Sequence, residues 1–333
     1  MSQNSKLVGL VPYQEKNNSV FFGREKEVEN LLQIIQKNKL ITLTGPSGSG
    51  KTSLINAGLI PRLRKGFLGQ SGKDWAICKF RPGVSPIDNM IGALTTSGVF
   101  NIDLRSNTED FLNYKKIIDQ DQSLSLSKIY SNSEINEKKN LLIVVDQIED
   151  LFLYSNINFE KEGEDQLLID IISRTVRIKE ISVYFLICLQ TEHIPRLNKF
   201  SNIQELFNKS QYSIQNIGSE GLKKLIKKNF TENGIGFDSN AYNELVKSLT
   251  NDLSLLPNIQ FLLYRLFHEK LDLKKINKEI INELGGVKNV ISNKLEEIFI
   301  SLPESDQEDF SKLLRATMNF KNPENQFFAN SFK

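Results

Sequence analysis

Leu40-Ile41-Thr42-Leu43-Thr44, followed by Gly45-Pro46-Ser47-Gly48-Ser49-Gly50-Lys51-Thr52, decides the fold. The octapeptide has the form G-x-x-x-x-G-K-[ST] of a phosphate-binding loop. The five residues before it are apolar and β-branched, which predicts a buried strand; Ser53-Leu54-Ile55-Asn56-Ala57-Gly58-Leu59-Ile60 after it predicts a helix. Three glycines at such a turn let backbone N–H groups point inward. The free N–H groups and dipole of the following helix favour phosphate over a neutral ligand. In this reading Gly45 to Ser53 cradle phosphate, Lys51 brings a mobile positive charge to the β and γ phosphates, and Thr52 offers its hydroxyl to a Mg²⁺ that keeps most of its water. The competing reading is a Gly/Ser loop with a surface lysine. A chance match in a chain this long occurs about one time in a hundred.

A phosphate-binding loop needs a second acid to complete the metal site. Leu141-Leu142-Ile143-Val144-Val145-Asp146 has the form of a central parallel strand whose carboxyl end opens onto a ligand crevice. Asp146 is the candidate to hold Mg²⁺ through water. Glu149, three residues on, is the candidate general base for a water aimed at the γ phosphate. Its alternative role is the acidic first turn of a helix Leu151-Phe152-Leu153-Tyr154.

Two further strands are predicted at Trp75–Phe80 and Ile181–Leu189, with a weaker one at Tyr212–Ile217, and helical patterns such as Leu167–Ile172 fall between strands. This alternation predicts an α/β fold with a doubly wound parallel sheet. The polar stretch 99–139 reads as one helix near Phe111–Ile118 among long loops. After Ile217 the pattern becomes helical, with stripes at Leu222–Phe230, Ala241–Leu249 after an Asp238 cap, and Ile259–Phe267 after Pro257. The expected domains are an N-terminal arm (1–19), a phosphate-binding-loop domain (20–217), a helical lid (218–274) and a partial, winged-helix-like C-terminal segment (275–333).

The 333 residues carry 42 Lys plus Arg and 40 Asp plus Glu, a net charge of +2 that predicts no general nucleic-acid or membrane footprint. Cys78 and Cys188 each sit in an apolar run and read as small buried hydrophobes in a reducing compartment. No signal-peptide-like stretch opens the chain and no window approaches ~18 apolar residues, so a soluble, cytoplasmic protein is expected. His193 and His268 lack companions at metal spacing, and no acyl-transfer constellation stands out.

These residues resemble the STAND class of P-loop NTPases, in particular its novel STAND group of bacterial signalling and defence proteins. The marks are Phe21-Phe22-Gly23-Arg24-Glu25, the loop running into Ser53-Leu54 and Ala57-Gly58-Leu59-Ile60-Pro61, Phe80-Arg81-Pro82-Gly83, and Val145-Asp146-Gln147-Ile148-Glu149-Asp150-Leu151-Phe152. The resemblance implies a switch that binds ATP or ADP, in which a helical domain and a winged-helix domain fold over the nucleotide. In that picture ADP holds a closed state and ATP permits homo-oligomerisation. It places Phe22, Gly23 and Arg24 near adenine and ribose, and Pro257 against the base. Phe21-Phe22 also suits a hydrophobic staple, and Pro257 a helix N1 position. Relatives usually carry Arg and Asp where this chain has Gln190-Thr191-Glu192, and glycine before Pro257 is replaced by Ser254-Leu255-Leu256. An arginine on the transferred phosphoryl is worth ~10³ or more in rate, so slow hydrolysis is expected, with Arg81, Arg196 or a neighbouring subunit's arginine as substitutes.

Two other readings stay open: a nucleotide-binding scaffold with little hydrolysis, and an ATP-driven nucleic-acid motor or loader. Acidic residues Glu296, Glu297, Glu304, Asp306, Glu308 and Asp309 weigh against the last, and no nucleic-acid partner is expected. The short arm before Phe21 and the early end suggest a truncated product or one half of a two-protein system, with a separate effector or sensor protein as partner.

Overall fold

The computed structural model describes residues 7–66, 74–96, 99–100, 107–133, 139–154, 163–215, 217–252, 255–269 and 274–318. Five strands form one sheet: β1 (Leu40–Gly45), β2 (Asp74–Phe80), β3 (Lys139–Val145), β4 (Val183–Gln190) and β5 (Gln211–Ser213). All pairings are parallel and the order is β2-β3-β4-β1-β5. The connections carry helices to both faces, so β1 to β4 each feed two cores. On β3, Leu141, Ile143 and Val145 enter the core built with helices Pro86–Thr96 and Glu164–Arg177. Leu142 and Val144 enter the opposite core, with helix Glu25–Lys37 and the helix after the phosphate-binding loop. Each such side chain, fully buried, contributes about 2 kcal/mol. This is the α/β, doubly wound architecture read from the strand–helix alternation.

The stretch 99–139 differs from its reading. It holds helices Asn107–Asp121 and Ser125–Ser131, not one short helix among long loops. Ile118, Leu126 and Tyr130 are buried against the sheet core, so packing supplies the helicity that local composition hides. Residues 101–106 and 134–138 lie outside the described set. The fifth strand ends at Ser213, although Ile214 N–H still donates to the Thr44 carbonyl at 2.8 Å; position 216 of the expected strand lies outside the described residues.

The helix after the loop is continuous from Lys51 to Arg64 but widens into a π-turn at Leu54–Leu59. Pro61 has no N–H to offer the Ala57 carbonyl. That carbonyl accepts instead from Asn18 Nδ2 at 2.9 Å. Both cysteines are buried, and neither forms a disulfide.

The helical lid packs Ser219–Asn229, Ser239–Asn251 and Leu256–Glu269 around Leu222, Phe230, Leu245 and Leu262. Asp238 caps the second of these helices, its carboxylate accepting from Asn240 N–H at 2.8 Å. The same core takes in Ile276, Ile281, Val287 and Val290, and the two-residue strands Gly236–Phe237 (β6) and Lys275–Ile276 (β7) pair in parallel. The segment read as winged-helix-like thus consists of β7 and helices Lys278–Glu283, Gly286–Ser301 and Glu304–Met318. Arg265, buried within helix Leu256–Glu269, donates to Glu269 and to Glu297 and so ties the lid to Gly286–Ser301. Among the described residues no helix is long and apolar enough to cross a membrane.

Candidate functional site at the carboxyl ends of the strands

β1 lies between β4 and β5, so the loop after it opens at the point where the strand order reverses. Each glycine of the loop has its own reason. A Cβ on Gly45 would meet Ile214 Cγ2 at 2.2 Å and Ser49 Oγ at 2.9 Å. Gly48 and Gly50 have φ of 72° and 88°, a region that L side chains avoid. Beneath the loop, buried Arg24 donates to the Ser49 carbonyl at 3.2 Å, to Glu27 at 2.7 Å and to the Gln215 carbonyl. Lys51 Nζ folds back onto the Gly45 and Pro46 carbonyls at 2.8 and 2.9 Å. Burial pushes its ammonium below the ordinary lysine range, against the pull of the Cys188 thiol, Glu149 and Asp146. An arriving polyphosphate would offer this ammonium stronger partners than two neutral carbonyls.

β3 delivers the acids. Asp146 N–H donates to the Phe80 carbonyl at 2.9 Å, which extends the β2–β3 ladder one residue past the strand. Thr52 Oγ1 donates to Asp146 Oδ2 at 3.2 Å, so a hydroxyl from the helix after β1 and a carboxylate from the end of β3 converge on one point. That oxygen pair fits a Mg²⁺ held by few protein ligands, with phosphate and water completing its shell. Glu149 is 2 % exposed. Its Oε2 accepts a long 3.4 Å bond from Gln190 N–H, and its Oε1 is buried without a hydrogen-bond partner. Burial raises its carboxyl above the ordinary range, opposed by backbone N–H groups and by Lys51. Asp150, the next acid, is already used: Arg81 Nε and Nη2 reach its two oxygens at 2.7 and 3.1 Å, and Gly83 N–H adds 3.1 Å. Of the two adjacent acids, only Glu149 has an oxygen left for a water.

A cavity of ≈ 180 Å³ joins these groups to the lid and to the N-terminal arm. Its walls include Ser47 to Ser53, Asp146, Gln147, Glu149 and Gln190, then Leu256, Pro257 and Gln260 from the lid, and Gly9 to Pro12 from the arm. The arm is strapped on both sides. Leu7 is buried in the lid core, Gln260 Nε2 donates to the Gly9 carbonyl at 2.5 Å, and Tyr13 N–H donates to Ser53 Oγ at 3.2 Å.

A family model described as Novel STAND NTPase 1 matches residues 7–328. The chain belongs to that family. No curated protein matches the sequence. Among solved structures, the chain is similar to the Aeropyrum pernix ORC2 protein with ADPNP and ADP, at 12% identity and TM-score 0.51, covering 84% of this chain and 71% of that one. It is also similar to the Aeropyrum pernix ORC1 protein in complex with DNA (14% identity, TM-score 0.49, 92% of this chain and 74% of that one). A Walker-type ATPase of Pyrococcus abyssi follows, at 14% identity and TM-score 0.47, covering 93% and 80%. At these identities the likeness concerns the fold, that of a P-loop NTPase.

In this novel STAND NTPase, Lys51, Thr52, Asp146, Glu149 and Pro257 come together at one cavity from three separate parts of the chain. Phe22, Gly23 and Arg24 do not line it. Phe22 packs with the small cluster of Tyr13, Val20 and Ala57, Gly23 stands where a Cβ would meet the Gly221 backbone at 3.0 Å, and Arg24 is committed beneath the loop. Arg81 is bound to Asp150, and Arg196 is exposed on the 3₁₀ segment Thr191–Lys199, away from the cavity wall. Sequence reasoning missed the cavity roles of Gly9 to Pro12 and Gln260. The apolar run Leu7-Val8-Gly9-Leu10-Val11-Pro12-Tyr13 between polar flanks carried the signal, and Leu10 and Val11 within it are 51% and 61% exposed.

Proposed function

We propose that this chain is an ATP·Mg²⁺-binding STAND switch whose slow hydrolysis resets a conformational and oligomerisation equilibrium. The observation that carries this reading is the cavity walled at once by the phosphate-binding loop, the lid and the arm. A ligand held there contacts all three, so ATP and ADP can favour different lid positions through differential contacts. Lys51 and the N–H groups of Gly48 to Thr52 hold the β and γ phosphates. Thr52 and Asp146 hold Mg²⁺, which neutralises developing phosphate charge when bound. Leu10, Val11 and Pro257 offer an apolar platform for the base. In hydrolysis a water oxygen bonds to the γ phosphorus, its proton passes to the Glu149 carboxylate, and the bond to the β–γ bridging oxygen breaks, leaving ADP and inorganic phosphate. Neutral Gln190 stands at the end of β4 where relatives place arginine, which supports a low rate.

That same glutamine, with the burial of Glu149, favours a second reading: a nucleotide-binding scaffold without useful turnover. A nucleic-acid motor has less support, because helices Gly286–Ser301 and Glu304–Met318 present Glu296, Glu304, Glu308 and Asp309 to solvent. The test is the nucleotide content of purified protein after denaturation, with Lys51→Ala as control. ADP released from the wild type alone supports a switch resting closed. A protein that arrives empty and also fails to bind added ATP·Mg²⁺ contradicts both nucleotide readings.

A further inference from the structure

Gln147 stands between Asp146 and Glu149 with φ of 57°. Only one other described non-glycine residue, Gln122 between helices Asn107–Asp121 and Ser125–Ser131, has positive φ. Left-handed backbone is disfavoured for a long side chain and free of strain for glycine. The turn itself explains the conformation: Asp150 N–H donates to the Gln147 carbonyl at 3.0 Å, and Ile148 N–H to the Cys188 carbonyl at 3.0 Å. It does not explain the side chain. Glycine would make the same turn at lower cost, yet the position holds a carboxamide at the wall of the nucleotide cavity. Strain retained at a functional wall points to a task for the group that causes it.

The chemistry of the wall narrows that task. Asp150 is neutralised by Arg81, Arg81 is thereby withdrawn, and β4 ends in glutamine, so no described arginine lines the cavity. Glu149 can take a proton but cannot donate to a phosphoryl oxygen once ionised. A carboxamide does both halves of what is missing: its oxygen accepts from a water and its N–H₂ donates to the γ phosphate. We infer that Gln147 is a catalytic residue of this chain, whose side-chain amide contacts the attacking water and the transferred phosphoryl group. The inference rests on the hydrolytic reading above and adds a residue to it. The left-handed turn fixes the Gln147 backbone on the cavity wall two residues before Glu149, so the inferred contacts would be those of a preorganised dipole.

Three properties test it in full-length Gln147→Gly and Gln147→Asn proteins: thermal unfolding without nucleotide, affinity for ADP·Mg²⁺ with and without aluminium fluoride, and turnover. For Gln147→Gly the expected result is a raised melting temperature with ADP affinity unchanged. Turnover and the tightening by aluminium fluoride each fall about 10- to 100-fold, the scale of losing one preorganised donor. Gln147→Asn, which tolerates the left-handed region and keeps an amide, recovers part of both losses. Wild-type turnover and wild-type aluminium fluoride tightening in Gln147→Gly would reduce Gln147 to a turn residue and overturn the inference. Loss of ADP binding in both variants would overturn it too, since the residue would then shape the loop site. A wild-type protein with neither turnover nor tightening by aluminium fluoride would instead sink the hydrolytic reading, before any variant is compared.

Discussion

Arg81 holds Asp150 through two hydrogen bonds, at 2.7 and 3.1 Å, immediately beside Glu149. The Asp150 carboxylate is fully buried while the arginine is 54% exposed, and the contact raises the guanidinium pKa. The pair joins the end of β2 to the turn after β3 and so sets the position of the candidate base. Removing the cation leaves a buried, unpaired carboxylate. Arg81→Ala should destabilise by about 2 kcal/mol, less than for a fully buried pair because solvent reaches the arginine. Asp150→Asn, which keeps an acceptor for Gly83 N–H, should cost less. Urea unfolding curves measure both, and equal effects would remove the argument from the unpaired charge.

Glu149 should make stability depend on pH in a definite direction. Burial raises its pKa in the folded chain, so the folded state binds the proton more tightly than the unfolded state does. The stabilisation is fully present below the unfolded value, near about pH 4, and is lost as pH rises through the higher folded value. Glu149→Gln removes the penalty of a buried charge. It should therefore melt higher than wild type at pH 7, and the gain should vanish in acid. In the same variant nucleotide binding should persist and turnover should fall about 100-fold or more. Equal loss of binding in Glu149→Gln and Lys51→Ala would contradict the role given to Glu149.

Lys51→Ala should weaken ATP·Mg²⁺ binding at least about 100-fold while leaving the melting temperature close to wild type. The side chain gives up only two bonds to backbone carbonyls and is itself partly desolvated. Titration with a fluorescent nucleotide, beside a melting curve, checks both halves. A chain that unfolds in this variant would mean the lysine is structural.

Gly45→Ala should be more damaging than its chemistry suggests. The new methyl would lie 2.2 Å from Ile214 Cγ2, and Ile214 is buried with its neighbours packed around it. Overpacking of this kind costs about 1–3 kcal/mol. Pairing with Ile214→Ala should return part of the loss, and a double-mutant cycle measures it.

Gln260→Ala should loosen the arm, because Gln260 Nε2 also reaches the Val11 carbonyl at 3.3 Å. Faster amide exchange at residues 9–11, with a roughly fivefold drop in nucleotide affinity, is the expected pair of effects. Exchange unchanged from wild type would show that Leu7 and Tyr13 suffice to hold the strap.

Much of this molecule was determined by sequence alone, and the reasons are local. Gly45 to Thr52 demand a strand-to-helix turn, because glycine backbone and a helix N-terminus are what make the loop bind phosphate. The aliphatic run ending at Asp146 and the helical stripes of the lid are legible because hydrophobic period and burial coincide there. What tertiary structure alone decided involves groups far apart in the chain. Only Phe111–Ile118 of helix Asn107–Asp121 was legible, and helix Ser125–Ser131 not at all, because its Leu126 and Tyr130 declare themselves only on packing into the sheet core. Asp150 is spent on Arg81, 69 residues away, which leaves Glu149 as the acid with a vacant oxygen. Gly9 and Gln260, 251 residues apart, meet across the cavity. No local pattern encodes such pairings, because their energy comes from desolvated contacts that exist only once the sheet, lid and arm have been brought together.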